Sequence, residues 1–157
     1  ENGGNFYLET HISKANFKAI VLKDGDEVLC DFLGAHSYIS SSWYDNQNVS
    51  TWNYEAVQIR GKVKLMNDDE LYEHLRKLTF KYEKNQKCPM FVENMGADFV
   101  KKEMKGAFGI NIHPTEIFIA NKLSQNRKEE DFKNIIKELE QSSDENSKNI
   151  AEKMRTL

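Results

Sequence analysis

The chain has 157 residues, 39% of them hydrophobic and 30% charged, which fits one soluble domain with a sizeable core. Its formal net charge of -3 argues against a broad electrostatic grip on nucleic acid, which needs a concentrated basic face. No apolar run approaches the ~20 residues of a membrane-spanning helix, and the opening ENGGNFYLETH lacks the basic-then-apolar pattern of a secretory signal.

In chain order, an Asn-Gly-Gly turn leads into NFYLETH, whose alternation, with Phe6, Leu8 and Thr10 on one side, predicts a strand. In SKANFKAIVL, Ser13 is placed to cap a short helix with Phe17, Ile20 and Val21 as its apolar face. KDGDE reads as a turn, EVLCDFLG as a mostly apolar strand in which Cys30 is a small buried residue, and HSYIS as a second extended piece. Cys88 lies far from Cys30, and neither has metal-type spacing, so two reduced thiols and a cytoplasmic protein are expected. SSSWYDNQNVS is an irregular polar loop. TWNYEAVQIRGKVKLM gives the clearest strand, with Gly61 marking a bulge or bend.

Asn67 then caps a helix running to about Glu83, with Glu70 placed for a capping box. Leu71, Leu75, Leu78 and Tyr82 recur at helical spacing, and His74 is expected to be solvated. KCPMFVENMG connects to a short helix in ADFVKKEMK. GAFGINIHPTEIFIANKLS reads as another strand, interrupted near Pro114. NRKEEDFKNIIKELEQ is helical, with Phe132, Ile135, Ile136 and Leu139 as its buried stripe, and SSDENSKNIAEKMRTL is a polar tail or a second helix. Central strands with helices in separate blocks predict an α+β fold with an antiparallel sheet, a small barrel with helices packed outside. One domain over residues 1–140 is expected, followed by the tail or helix over 141–157.

Three clusters could carry chemistry. In THISKAN a strand ends at a Ser-Lys pair where a helix is due to begin, a workable anion cradle. An ordinary cap with a solvated lysine explains the same residues, and from this segment alone is preferred. HSYISSSWYDNQNVSTWNYEAV holds both tryptophans. Trp52 and Asn53 fall on opposite faces of one strand, so the stretch is either a polar corner of the core or the lining of a site. NKLSQNR packs Lys122, Ser124, Gln125 and Arg127 at a strand end, as a junction capping the next helix or as groups aimed at a phosphate or carboxylate. The four histidines form no metal pattern. With no nucleophile elbow, Walker loop or dinucleotide fingerprint, no catalytic residue is assigned.

Taken together, these segments resemble one family. LGAHSYISSSWY resembles its Gly-Pro-His-Ala-Tyr-Ile-Ser-Pro-Ser-Trp-Tyr signature, STWNYEAVQIRGKVKLMND its Pro-Thr-Trp-Asn-Tyr strand, and NKLSQNR its Lys-Leu-Ser-Gln-Asn-Arg motif. The motifs, in the right order and spanning about Phe6 to Leu139, are similar to the PaiB-like family, the FMN-binding negative transcriptional regulators. This group belongs to the flavin-binding split-barrel superfamily, which also includes pyridoxamine-phosphate oxidases. The resemblance implies an antiparallel split β-barrel with peripheral helices and a C-terminal helix, FMN as cofactor, and a homodimer with flavin at the subunit interface. It implies that Thr10, Ser13, Lys14 and Asn16 hold the FMN phosphate. Trp52, Asn53, Lys122, Ser124, Gln125 and Arg127 would then lie near the isoalloxazine ring or the partner subunit. It further implies flavin-dependent redox activity, and a regulatory role exercised through a small molecule or partner protein rather than by direct DNA contact. Family members carry the barrel's first strands ahead of the THISKAN equivalent, so a shortened or fragmentary barrel is expected here. The alternative reading is a cofactor-free or haem-binding dimeric split barrel that acts through partner interaction.

Overall fold

A computed structural model describes residues 6–16 and 21–157. The expected Asn-Gly-Gly turn, and Phe17 and Ile20 of the expected first helix, lie outside the described residues. The elements are β1 (Leu8–Ser13), β2 (Glu27–Ile39), β3 (Thr51–Leu65), α1 (Asp68–Glu83), α2 (Ala97–Lys105), β4 (Ala107–Lys122), α3 (Glu129–Gln141) and α4 (Glu145–Arg155). The sheet order is β1-β4-β3-β2. β1 runs antiparallel to β4, with Leu8 opposite Ile112 and Ser13 opposite Ala107. A sheet with antiparallel pairing and helices in separate blocks makes this the α+β class expected from the sequence.

Two strand readings are corrected. EVLCDFLG and HSYIS form one strand of 13 residues, and β4 runs unbroken for 16 residues through Pro114. The last β1–β4 pair is Leu8 with Ile112, so Pro114 falls beyond it, where a missing N–H removes no ladder bond on that side. Cys30, expected to be buried, is partly exposed in β2, and neither it nor Cys88 is in a disulfide.

The chain divides into two compact units. The first comprises residues 1–29 and 60–116, with Val63, Leu71, Val92, Ile110 and Ile112 buried in its core. Gly61 allows a close approach here. A Cβ added to it would stand 2.7 Å from the His113 carbonyl oxygen. α1 starts with the expected capping box: the Glu70 amide donates to Asn67 Oδ1 at 2.9 Å, and the Asn67 amide donates to Glu70 Oε2 at 2.9 Å. Its buried residues are Leu71 and His74, whereas Tyr82 is 62% exposed. His74 is therefore not solvated. Its imidazole tolerates burial because His11, on β1, supplies a polar partner.

The second unit comprises residues 30–59 and 117–157. Ile39, Tyr44, Leu123, Ile135, Leu139, Ile150, Ala151 and Met154 form its buried cluster, with Phe132 and Ile136 packed against it. The expected stripe of α3 thus faces this core. The final stretch is the second helix, α4, capped by Asp144, whose Oδ2 accepts from the Ser147 amide at 2.9 Å. Ser147 is buried against Ser37, with their hydroxyls 2.8 Å apart. No helix among the described residues is long and apolar enough to cross a membrane.

Candidate functional site

The candidate site residues fall into two groups, one in each unit. In the first unit, β1 ends at Ser13 and the chain turns through Lys14, Ala15 and Asn16. The Ser13 hydroxyl oxygen accepts from the Ala15 amide at 3.2 Å, the Asn16 amide donates to the Ser13 carbonyl at 2.9 Å, and the Lys14 amide donates to the Gly106 carbonyl at 2.8 Å. These bonds are those of a serine-stabilised turn. They fix the backbone of the segment and leave its longer side chain outward: Thr10, Ser13, Lys14 and Asn16 are all exposed. Lys14 borders a cleft of about 670 Å³ whose charged lining mixes Lys101 and Lys105 with Asp68, Asp69 and Glu93. Among the described residues, none of these three lysines has an ion-pair partner.

In the second unit, the alternation of β3 turns Trp52 outward and Asn53 inward. Trp52 is 52% exposed, and the His36 and Tyr38 rings each lie 6.0 Å from it, centroid to centroid. Asn53 is fully buried. Its Oδ1 accepts from Ser124 Oγ at 3.0 Å, and its Nδ2 points at Met154 Sδ at 3.5 Å. Ser124 is the one described non-glycine residue with positive φ, at 57°, a conformation that costs roughly 1–3 kcal/mol and persists where surrounding contacts impose it. Those contacts are present. Gln125 Oε1 accepts from the Leu123 amide at 2.7 Å, Gln125 Nε2 donates to the Asn121 carbonyl at 2.7 Å, and the Arg127 amide donates to the Ser124 carbonyl at 2.9 Å.

This pinned turn, with Thr51 and Lys122 beside it, lines a cleft of about 350 Å³. Lys122 Nζ donates to Thr51 Oγ1, and the Arg127 guanidinium lies over the Tyr44 ring, 5.0 Å from its centroid. The Tyr44 hydroxyl is buried and has no hydrogen-bond partner among the described residues.

The structure therefore brings Lys122, Ser124, Gln125 and Arg127 together around one cleft, with Asn53 anchoring them from beneath and Trp52 on the other face of β3. Thr10, Ser13, Lys14 and Asn16 cluster at the end of β1. Sequence reasoning did not single out His36 and Tyr38 as companions of Trp52, although their spacing of two along β2 places them on one strand face. Nor did it find Tyr44 beneath Arg127, a contact between residues far apart in sequence. In the first group, exposed hydroxyls and an ammonium with no ion-pair partner among the described residues suit an anion; in the second, an exposed aromatic cluster suits a flat ring.

Residues 1–116 match the family described as "Putative FMN-binding domain", and the chain belongs to that family. It is also 39% identical, over 150 residues, to Protease synthase and sporulation protein PAI 2 of Bacillus subtilis (strain 168), an alignment covering 96% of this chain and 72% of that protein. The PaiB-like resemblance carried by the three motifs is borne out, and FMN is the cofactor that the family indicates. Among solved structures, the chain is similar to one described as a "putative 5-nitroimidazole antibiotic resistance protein" from Bacteroides thetaiotaomicron VPI-5482. That similarity has 15% identity and a TM-score of 0.41, and covers 73% of this chain and 60% of that one.

Proposed function

We propose that the protein binds FMN, with Thr10, Ser13, Lys14 and Asn16 taking the phosphate. Trp52 and the Lys122–Arg127 turn contact the ring or a partner subunit. The observation that carries this reading is the match of residues 1–116 to the FMN-binding family, a span that includes the exposed Ser13–Lys14 turn. Lys14 supplies a charge without a partner among the described residues, and Thr10 and Ser13 supply hydroxyl donors. Asn53 acts from behind, holding Ser124. Bound flavin would supply redox chemistry, while the chain's own residues bind and orient it.

The protein acts as a homodimer in this reading. Phe32, Leu33, Ile117, Phe118 and Ile119 are exposed apolar side chains on β2 and β4 of the second unit, and such surface favours a partner. Any regulatory role runs through a small molecule or partner protein in this reading, because a net charge of -3 argues against a broad electrostatic grip on DNA. A salt-dependent, sequence-specific shift of DNA by the purified protein would overturn that part.

Titration of flavin fluorescence tests the phosphate assignment. Lys14→Ala is expected to weaken FMN binding about tenfold to a hundredfold, the loss for one charge-assisted hydrogen bond. It is expected to leave riboflavin, which lacks the phosphate, unaffected. An unchanged FMN affinity would remove Lys14 from the site.

A further inference from the structure

β1 and α1 are joined by a line of titratable side chains that the proposed function does not use. His74 on α1 is only 5% exposed, and its Nε2 lies 3.1 Å from Nδ1 of His11 on β1. The rings meet edge to face, with centroids 5.3 Å apart at 65°. On the far side, His74 Nδ1 stands 3.6 Å from Glu9 Oε2, and Glu9 Oε1 lies 3.4 Å from Lys77 Nζ. The carboxylate opposite His74 Nδ1 favours a proton there, which leaves Nε2 as an acceptor and makes His11 Nδ1 the donor.

An N–H···N bond needs one protonated nitrogen and one lone pair. The pair therefore holds when neutral, and it holds with one added proton. A second added proton sets N–H against N–H and two cations at hydrogen-bonding distance. We propose that His11 and His74 form an acid-sensitive latch between β1 and α1, closed while the pair carries at most one added proton and opened by the second.

The surroundings leave little to offset that second charge. Glu9 is the one carboxylate in ion-pair contact with either ring among the described residues, and it is shared with Lys77. Glu70 and Glu73 on α1 are engaged by Lys64 and Arg76. The β4 positions opposite Glu9, Thr10 and His11 are Asn111, Ile110 and Gly109, all uncharged. Burial, and after it the charge on His74, hold the His11 imidazole below its ordinary value of 6.5. The folded protein thus prefers neutral His11. The stability this contributes is complete above pH 6.5 and is lost as the pH falls from there through the lowered folded value. Among the described residues β1 has a single strand neighbour, β4, so the α1 contact is a second hold on it. β1 also runs directly into Ser13 and Lys14, so an open latch would loosen that turn, although the latch itself needs no flavin.

Thermal melts of the full chain between about pH 7 and pH 5, with His11→Gln and His74→Gln alongside, test the latch without flavin. Glutamine keeps a polar amide but cannot titrate. The wild type is expected to lose at least about 3 °C more in Tm across that interval than His11→Gln. Amides of Leu8–Ser13, corrected for intrinsic exchange, are expected to lose hydrogen-exchange protection in the wild type alone. Parallel melting profiles for wild type and His11→Gln, or pH-independent protection of β1, would overturn the latch. If His74→Gln fails to fold, His11→Gln, at the more exposed ring, decides the question alone.

Discussion

Asn53 has no solvent exposure, and Ser124 hands its hydroxyl proton to it from a left-handed backbone conformation. Removing either side chain should act on stability first. Asn53→Ala leaves a buried hydroxyl without its acceptor and opens a void, an expected loss of about 2–3 kcal/mol by urea unfolding. Ser124→Ala loses the hydrogen bond and keeps the backbone strain. Ser124→Gly loses the same bond but relieves the strain, and should be the milder of the two by about 1 kcal/mol; the reverse order would show that the positive φ carries no strain. The division of labour between Trp52, outward, and Asn53, inward, was legible from strand alternation alone. His74 was not, because its burial rests on His11, a partner 63 positions away. Residue spacing along α1 cannot reveal that contact.

Helices with local stop and start signals were read nearly to the residue. α1 is set by its capping box and acidic first turn, and Asn67→Ala should cost about 1 kcal/mol of stability in a denaturant titration. Little or no change would mean that tertiary contacts alone hold the helix start. The stripe of α3 follows from its 3.6-residue period. β4 was misread at Pro114 because proline is a local punctuation mark, whereas its tolerance depends on where β1 stops pairing. Gly61 drew attention as a bend, but its role is set by the backbone of His113, 2.7 Å from where a Cβ would stand. Gly61→Ala should therefore destabilise by roughly 1–3 kcal/mol through overpacking, whereas an unchanged unfolding midpoint would mean the strands can move apart freely.

For the molecule as a whole, the α+β class follows from the succession of strand and helix patterns, but the order β1-β4-β3-β2 does not, since β1 pairs with a strand about a hundred residues on (Leu8 with Ile112). The motifs pointed to the family, and side chains far apart in sequence, such as Tyr44 with Arg127, completed the picture of the candidate site. Sedimentation should find a dimer that Phe118→Asp converts to monomer with its circular dichroism unchanged, because Phe118 is half-exposed on β4. A wild type that sediments as a monomer would remove the dimer from the account. FMN binding is the central claim, and gel filtration of the purified protein after mixing with FMN, monitored by flavin absorbance, tests it most directly. The account predicts flavin that co-elutes with the protein, one per chain at saturation, and is largely lost with Lys14→Ala. Protein that elutes colourless while all the flavin runs free would contradict it.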